Sequence, residues 1–245
     1  MSTYPNPLPS GATWRTPLTR TLAFQTGIAR GLDSTEQRWS ITPGDESFEL
    51  NYQDLITSDR DSLLTFIESV KGKFDSTWSF VFNGTTYTNC FFDLDKIEFM
   101  EQSTPGLSTA KIVVRQVRRV ADSGSPGSFP ALSSGADGAP MQLPYTLGRQ
   151  YDVIAVKTEQ SRSAWYNRAT GFRTWSVGGP TLVDADALAL WDHFRKCHGK
   201  LATFSMTDPD SALVYSSCRY GSDSLNWIYN GPRQNQIQAT VEQFA

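Results

Sequence analysis

Charge, histidine and cysteine are all scarce in this chain. Asp, Glu, Lys and Arg make up 19% of its 245 residues, below the roughly 25% of an average domain. The formal net charge of −3 argues against specific nucleic-acid binding, which needs a basic patch to displace counterions. Three cysteines are an odd number in a long chain, so a disulfide scaffold is not expected and folding in a reducing cytoplasm fits. No apolar run approaches the ~20 residues that span a bilayer, so no membrane segment is expected. The start of the chain is rich in Pro, Thr and Arg and lacks an apolar core, so no secretory signal is expected either.

The usual catalytic signatures are missing as well: there is no G-x-S-x-G, no H-E-x-x-H and no paired C-x-x-C. Gly72-Lys73 and Gly199-Lys200 look like pieces of a phosphate loop. Each lacks the earlier glycine, and each ends a helical pattern where a phosphate loop would begin one, so both read as helix stops. No catalytic, cofactor-binding or metal-ligating residue is expected, no cofactor is implied, and the chain is not expected to be an enzyme.

What the chain does contain is itself, twice. Tyr87, Cys90, Phe92, Asp95, Ile97 and Phe99 return as Tyr215, Cys218, Tyr220, Asp223, Leu225 and Trp227, each 128 residues on. Leu63, Ile67, Gly72 and Lys73 match Leu190, Phe194, Gly199 and Lys200 at an offset of 127, and Gln116 matches Gln243 at the same offset. Leu18-Thr19-Arg20 matches Leu147-Gly148-Arg149 at 129. A period this long is a duplicated domain, not a solenoid. With 39% hydrophobic and 12% aromatic residues, there is apolar material for two small cores.

The expected organisation has four parts. Residues 1–18 carry Pro5, Pro7, Pro9 and Pro17 and form an extended N-terminal arm. Residues 19–118 are the first β-barrel domain, 119–147 a linker, and 148–245 the second β-barrel domain. Within the linker, 121–140 hold twelve Gly, Ser or Pro among twenty, so no regular secondary structure is expected there. Strands are expected over 21–27, 37–42 and 48–52, then 79–82, 86–92, 96–100 and 111–118, with 151–157, 164–168 and 172–177 in the second repeat. Phe48, Leu50 and Tyr52 alternate with polar residues, as in a half-buried strand.

One helix follows the first strands of each repeat. Ser58 or Asp59 caps the first, Leu63, Leu64, Phe66, Ile67 and Val70 form its apolar stripe, and Gly72 stops it. Asp184 or Asp186 opens the second, Leu188, Trp191 and Phe194 line its face, and Gly199 closes it. Short strands around a single mid-domain helix predict a mainly β protein of two tandem antiparallel barrels or sandwiches.

Other residues carry bland readings. His193 and Cys197 share a helix face and could both touch zinc, but Phe66 and Val70 stand at the matching places, which makes these packing positions. Cys90 and Cys218 read as small buried residues on equivalent strands. Asp93 with Asp95, and Asp208 with Asp210, read as solvated turns and not as calcium ligands. Trp165, Tyr166, Trp175, Trp227 and Tyr229 could form a sugar platform, but aromatics in strands mostly make cores and cross-strand pairs.

The segment Gly31 to Trp39, with its Glu36-Gln37-Arg38 triplet, resembles a segment of the distal tail and minor tail (tail-tip) proteins of long-tailed bacteriophages. In that family a strand of alternating aromatics follows, here Phe48 to Tyr52. Then come a helix ending in G-K/R, here Gly72-Lys73, an aromatic pair opening the next strand, here Trp78 to Phe82, and a closing strand with Glu or Gln before an apolar residue, here Gln116-Val117. The second copy keeps Glu159-Gln160, Gly199-Lys200 and Glu242-Gln243-Phe244, but has Ser161 after Gln160 and its arginine one place later.

The resemblance implies a structural virion protein, here in tandemly duplicated form. It would build a ring at the distal end of the tail, between the tail tube and the baseplate hub or tip, and be assembled in the bacterial host cytoplasm. Partners would be the tail tube protein, hub or other tail-tip proteins, and the chain itself, as a homotrimer of pseudo-sixfold symmetry or a homohexamer. The rival readings are a two-module carbohydrate-binding protein and an enzyme of unfamiliar fold.

Overall fold

The computed structural model describes residues 3–30, 36–71, 78–93, 97–117, 124–132, 147–150, 153–157, 163–167, 172–208, 212–231 and 234–243. The protein is mainly β, with two helices among the described residues. The first half contains β1 (Arg15–Arg30), β2 (Glu36–Leu55), α1 (Thr57–Ser69), β3 (Trp78–Phe82), β4 (Thr85–Phe92), β5 (Phe99–Glu101) and β6 (Ser108–Val117). The second contains β7 (Leu147–Gln150), β8 (Val153–Lys157), β9 (Ser163–Asn167), β10 (Phe172–Leu182), α2 (Asp184–Cys197), β11 (Phe204–Thr207), β12 (Val214–Tyr220), β13 (Ser224–Tyr229) and β14 (Asn235–Gln243).

Among the described residues twelve strands share one hydrogen-bonded sheet. Its order is β11-β12-β14-β13-β1-β2-β6-β4-β3, with β10 also on β14, β7 on β10 and β5 on β6. β8 and β9 pair with each other as a two-stranded sheet. The chain forms two compact units. The first comprises Met1–Leu22, Gly44–Arg119 and Asn226–Pro232; the second comprises Ala23–Pro43, Val120–Leu225 and Arg233–Ala245. Each unit thus holds a short piece of the other repeat, whereas the sequence reading divides the chain end to end.

The duplication is written into the strand register. In the first unit β2 pairs antiparallel with β6, with Phe48 opposite Val114 and Leu50 opposite Ile112. In the second, β10 pairs with β14, with Trp175 opposite Val241 and Val177 opposite Ala239, every residue 127 places on. Cys90 opposes Gln116 as Cys218 opposes Gln243. Even the irregularities recur. Asn89 and Ser217 both take positive φ, +57° and +60°, and the β3–β4 and β11–β12 registers both slip beside them. The Ser108 hydroxyl donates to the Leu55 carbonyl at 3.3 Å, and the Asn235 amide donates to the equivalent Leu182 carbonyl at 3.1 Å.

The strand pattern follows the sequence with one main difference. Strands expected separately over 37–42 and 48–52 are a single strand, β2. Pro43-Gly44 punctuates the sequence like a turn, yet lies inside the strand, and Gly44 takes φ +97°, a conformation that costs only glycine nothing. Alternation of buried and half-buried residues from Gly44 to Tyr52 shows one face of β2 turned to the core. The strand expected at 96–100 is shortened to Phe99–Glu101.

The described residues of the arm pack on the first core. Tyr4 and Leu8 are buried in the first core. The Tyr4 amide donates to the Ser79 carbonyl at 2.8 Å, and its hydroxyl lies 3.0 Å from that of Tyr52. Asp59, fully buried, accepts from the Ser10 amide at 3.0 Å, the Ser10 hydroxyl at 2.7 Å and the Ile56 amide at 3.4 Å. It therefore works from the third position of α1 and not as the cap; Ile56 holds that place. One carboxylate satisfies a helix-start donor and fastens the arm.

The described part of the linker, 124–132, has no strand or helix but is anchored within the second unit. Ser128 bridges Ser205, the Phe129 amide donates to the Ser205 carbonyl at 2.8 Å, and Leu132 is buried. The rest of 119–147 up to β7 lies outside the described residues, as does the Gly72 helix stop.

Both helices bury stripes that differ from those expected. On α2 the buried residues are Asp186, Ala187, Leu190, Trp191, His193, Phe194 and Cys197, which recur at the i, i+3, i+4 spacing of an amphipathic helix. Leu188, expected on that face, is 43% exposed because it falls a third of a turn away. On α1 Leu63 and Val70 are buried, Phe66 and Ile67 half-buried, and Leu64 turns outward. α2 stops where His198 and Gly199 go left-handed, and a side chain at Gly199 would press on the Asp223 carboxylate at 2.8 Å. Trp191→Ala is expected to cost about 3–5 kcal/mol by chemical denaturation. Phe66→Ala, on a half-buried ring, is expected to cost about 1–3 kcal/mol.

Candidate interaction site

Residues 23–43, from the first repeat, are held in the second unit by a set of side chains whose common task is grip. Phe24 is buried, with its ring 5.9 Å from that of Phe194 and 5.4 Å from that of His198. Its amide donates to the Asp223 carbonyl at 2.8 Å. The Asp223 carboxylate then accepts from the Thr26 amide at 3.1 Å, the Thr26 hydroxyl at 2.8 Å and the Lys200 amide at 3.0 Å. Asp223 is the aspartate that recurs in the duplication, but its partners in 23–43 could not be found from spacing.

The Glu36-Gln37-Arg38 triplet sits at the start of β2. Arg219 donates to both oxygens of Glu36, at 3.3 and 3.2 Å, and Arg38 donates to the same carboxylate. Arg38 also donates to the Lys200 carbonyl at 2.7 Å. Burial raises the Glu36 pKa, but the charges of Arg219 and Arg38 outweigh it and hold the carboxyl below its ordinary range. Burial, then the charge of Arg38, bring Arg219 down to about 10, against the pull of Glu36. Charge-assisted, forked bonds of this kind fix geometry as well as adding energy. Arg219 carried no sequence signal, because Phe91 stands at its place in the first repeat.

Next to this cluster Trp39 lies over Gly27; a β-carbon there would fall 2.2 Å from the indole. Trp39 remains 49% exposed and Ile41 52%. In the first unit Arg20 is buried and paired with the buried Glu46. The guanidinium carbon lies 5.5 Å from the Phe48 and Tyr87 ring centres and 5.1 Å from that of Trp227. The aromatic faces offset part of the desolvation that burying a charge pair costs. Glu159, Gln160 and Ser161 of the second copy lie outside the described residues.

His193 and Cys197 are adjacent on α2, with the sulfur 3.8 Å from Nδ1, and Nδ1 lies 2.8 Å from the Tyr220 hydroxyl. Phe204 packs edge-on to the imidazole at 4.7 Å. Among the described residues no three His, Cys, Asp or Glu side chains are grouped as metal ligands. Asp93 is paired to Arg115 at 2.9 Å. Asp208 is buried; its backbone carbonyl accepts from the Ala212 amide at 2.9 Å, and its carboxylate lies 3.8 Å from Arg173. Asp95 and Asp210 lie outside the described residues. Trp175 and Trp227 are buried, and Tyr229 is half-buried against Phe82. Trp165 and Tyr166 lie on β9.

Cys90 and Cys218 are buried on β4 and β12, and each thiol points at a tyrosine carbonyl three residues back, Tyr87 at 3.3 Å and Tyr215 at 3.5 Å. Burial pushes the Cys90 and Cys197 thiols up to about 12 and Cys218 to about 11. Among the described residues no helix is long and apolar enough to cross a membrane. No protein-family model matches the chain, and no curated protein matches it.

Burial, and then the nearby Lys196 charge, lower the His193 pKa to about 4. The unfolded chain binds that proton near 6.5, so between these values the unfolded state holds more protons and stability falls as pH falls. The expected loss is up to about 3 kcal/mol across that window. Urea titrations at several pH values check it: His193→Phe is expected to flatten the dependence that the unaltered chain shows.

Proposed function

We propose that this chain is a structural virion protein that forms a ring at the distal end of a phage tail and joins the tail tube to the hub or tip. The observation that carries the reading is the repeated register: β2–β6 and β10–β14 place equivalent residues opposite one another 127 places apart. On this reading the two units are tandem antiparallel barrels or sandwiches of similar fold. Three chains then present six similar barrels, matching a sixfold tube above and a threefold hub below. A closed ring also leaves no heterologous surface free for runaway assembly.

Two further features support it. Glu36 and Arg38, of the triplet that carries the family resemblance, hold one piece of chain to another. The polar side chains of that cluster bond to each other and to backbone, an arrangement for cohesion and not for turnover. The chain does no covalent chemistry in this role, and its partners are itself, the tail tube protein and the hub or other tail-tip proteins.

Native mass spectrometry with symmetry-free particle averaging tests the proposal. A closed trimer with six similar densities is the expected result. Six chains per ring, with the two units at different radii, would replace the trimer and keep the tail-tip role. A chain that stays monomeric with and without tube protein, or that binds glycans in its place, would remove it.

A further inference from the structure

β13 and β5 are counterparts in the duplication, with Trp227 standing 128 residues after Phe99, yet their surroundings differ. β13 has a strand on both sides, β14 and β1. β1 is fastened there by the Phe24 amide on the Asp223 carbonyl at 2.8 Å and by the Thr21 hydroxyl on Asn226 at 3.0 Å. Among the described residues β5 pairs only with β6, through Phe99, Met100 and Glu101. Among the described residues no strand lies on its other edge, whose backbone donors and acceptors suit a further strand.

Burial records the same difference. Leu225 and Trp227 are each 2% exposed, whereas their counterparts Ile97 and Phe99 are half-buried and Met100 is 66% exposed. Phe194 is buried beneath Phe24, whereas its counterpart Ile67 is half-buried. The first repeat thus has the seat that the second repeat has filled.

The missing occupant is present in the sequence. β7 is the counterpart of the start of β1, through Leu18-Thr19-Arg20 and Leu147-Gly148-Arg149. It pairs with β10, with Leu147 opposite Trp175, and with no other strand among the described residues. Among the described residues β8 and β9, the continuation, pair only with each other. We infer that β7 and β8 of one chain add to the open edge of β5 in a second copy of the chain, as β1 adds to β13 within one chain.

The register follows from the duplication. Phe24 bonding to Asp223 and Thr21 facing Asn226 put Arg20 opposite Trp227 and Thr19 opposite Ile228 in an antiparallel pair. Carried to the counterparts, Arg149 faces Phe99 of the neighbour and Gly148 faces Met100. The chemistry is kept: Arg20 lies 5.1 Å from the Trp227 ring, and the equivalent pair is again an arginine and an aromatic. A contact of this kind is head-to-tail, so every chain has one seat and one occupant. The inference deepens the ring proposal and rests on it only for the number of chains that close.

Cysteines at Gly148 and Met100 test it, because this pair falls at a non-hydrogen-bonded position, where side chains lie closest. The native thiols are all buried and do not compete. Under mild oxidation the G148C/M100C chain is expected to give covalent oligomers ending at the ring's own chain number. Each single variant alone is expected to stay unlinked, and a mixture of the two singles to give dimers and nothing larger. In the unaltered protein, amides of 99–101 are expected to exchange roughly tenfold more slowly in the assembly than in the dilute chain.

Closed rings by native mass spectrometry with no cross-link and no added protection would overturn the strand addition and leave the ring reading in place. A ladder without end would keep the strand addition and remove the ring. Linking of M100C to itself would overturn the inference, since it requires a two-fold contact.

Discussion

The structure depends on the demand of extended backbone for partners along two strands of unusual length. β1 has sixteen residues and β2 twenty, where a typical strand has five or six. A buried amide or carbonyl without a partner costs on the order of a hydrogen bond, so the buried stretches of strands this long must find neighbours. β1 finds β2 on one side and β13 on the other. This is why residues 23–43 belong to one compact unit while the residues on either side belong to the other. The duplicated sequence does not simply make two beads; its hairpin is counted in both.

Charged groups are spent where register matters. Arg20 with Glu46, and Glu36 with Arg38 and Arg219, are directional pairs placed where one segment must settle in one position. Apolar contact alone tolerates sliding, and a slip of one residue turns every side chain to the wrong face. A forked guanidinium tolerates neither. Asp59 plays the same part for the arm, because its three donors come from two distant stretches of chain.

Local chemistry was legible in the sequence, and partnership across long separations was not. Alternation at Phe48, Leu50 and Tyr52 marked a strand because the period of two is set by the pleat itself. Gly199 marked the end of α2 because glycine takes the left-handed turn without strain and leaves room for the Asp223 carboxylate. Pro43-Gly44 misled because the pair that normally makes a turn can also sit within a strand whose neighbours continue. Leu188 misled because a stripe drawn through three apolar residues does not reveal which of them the neighbouring sheet covers. The duplication exposed Asp223 as a recurring position, and the family resemblance drew notice to Glu36-Gln37-Arg38. Neither could pair them with Thr26 or Arg219, which stand 197 and 183 residues from their partners.

The buried thiols have a consequence of another kind. With Cys90, Cys197 and Cys218 all enclosed and held protonated well above neutrality, the folded chain offers alkylating reagents almost no thiolate. A thiol becomes available only when a core opens. Cys90 belongs to the first unit, Cys197 and Cys218 to the second. The chain therefore carries its own pair of clocks: alkylation at each site counts how often that unit breathes, and their ratio tells whether the two halves come apart together or in turn.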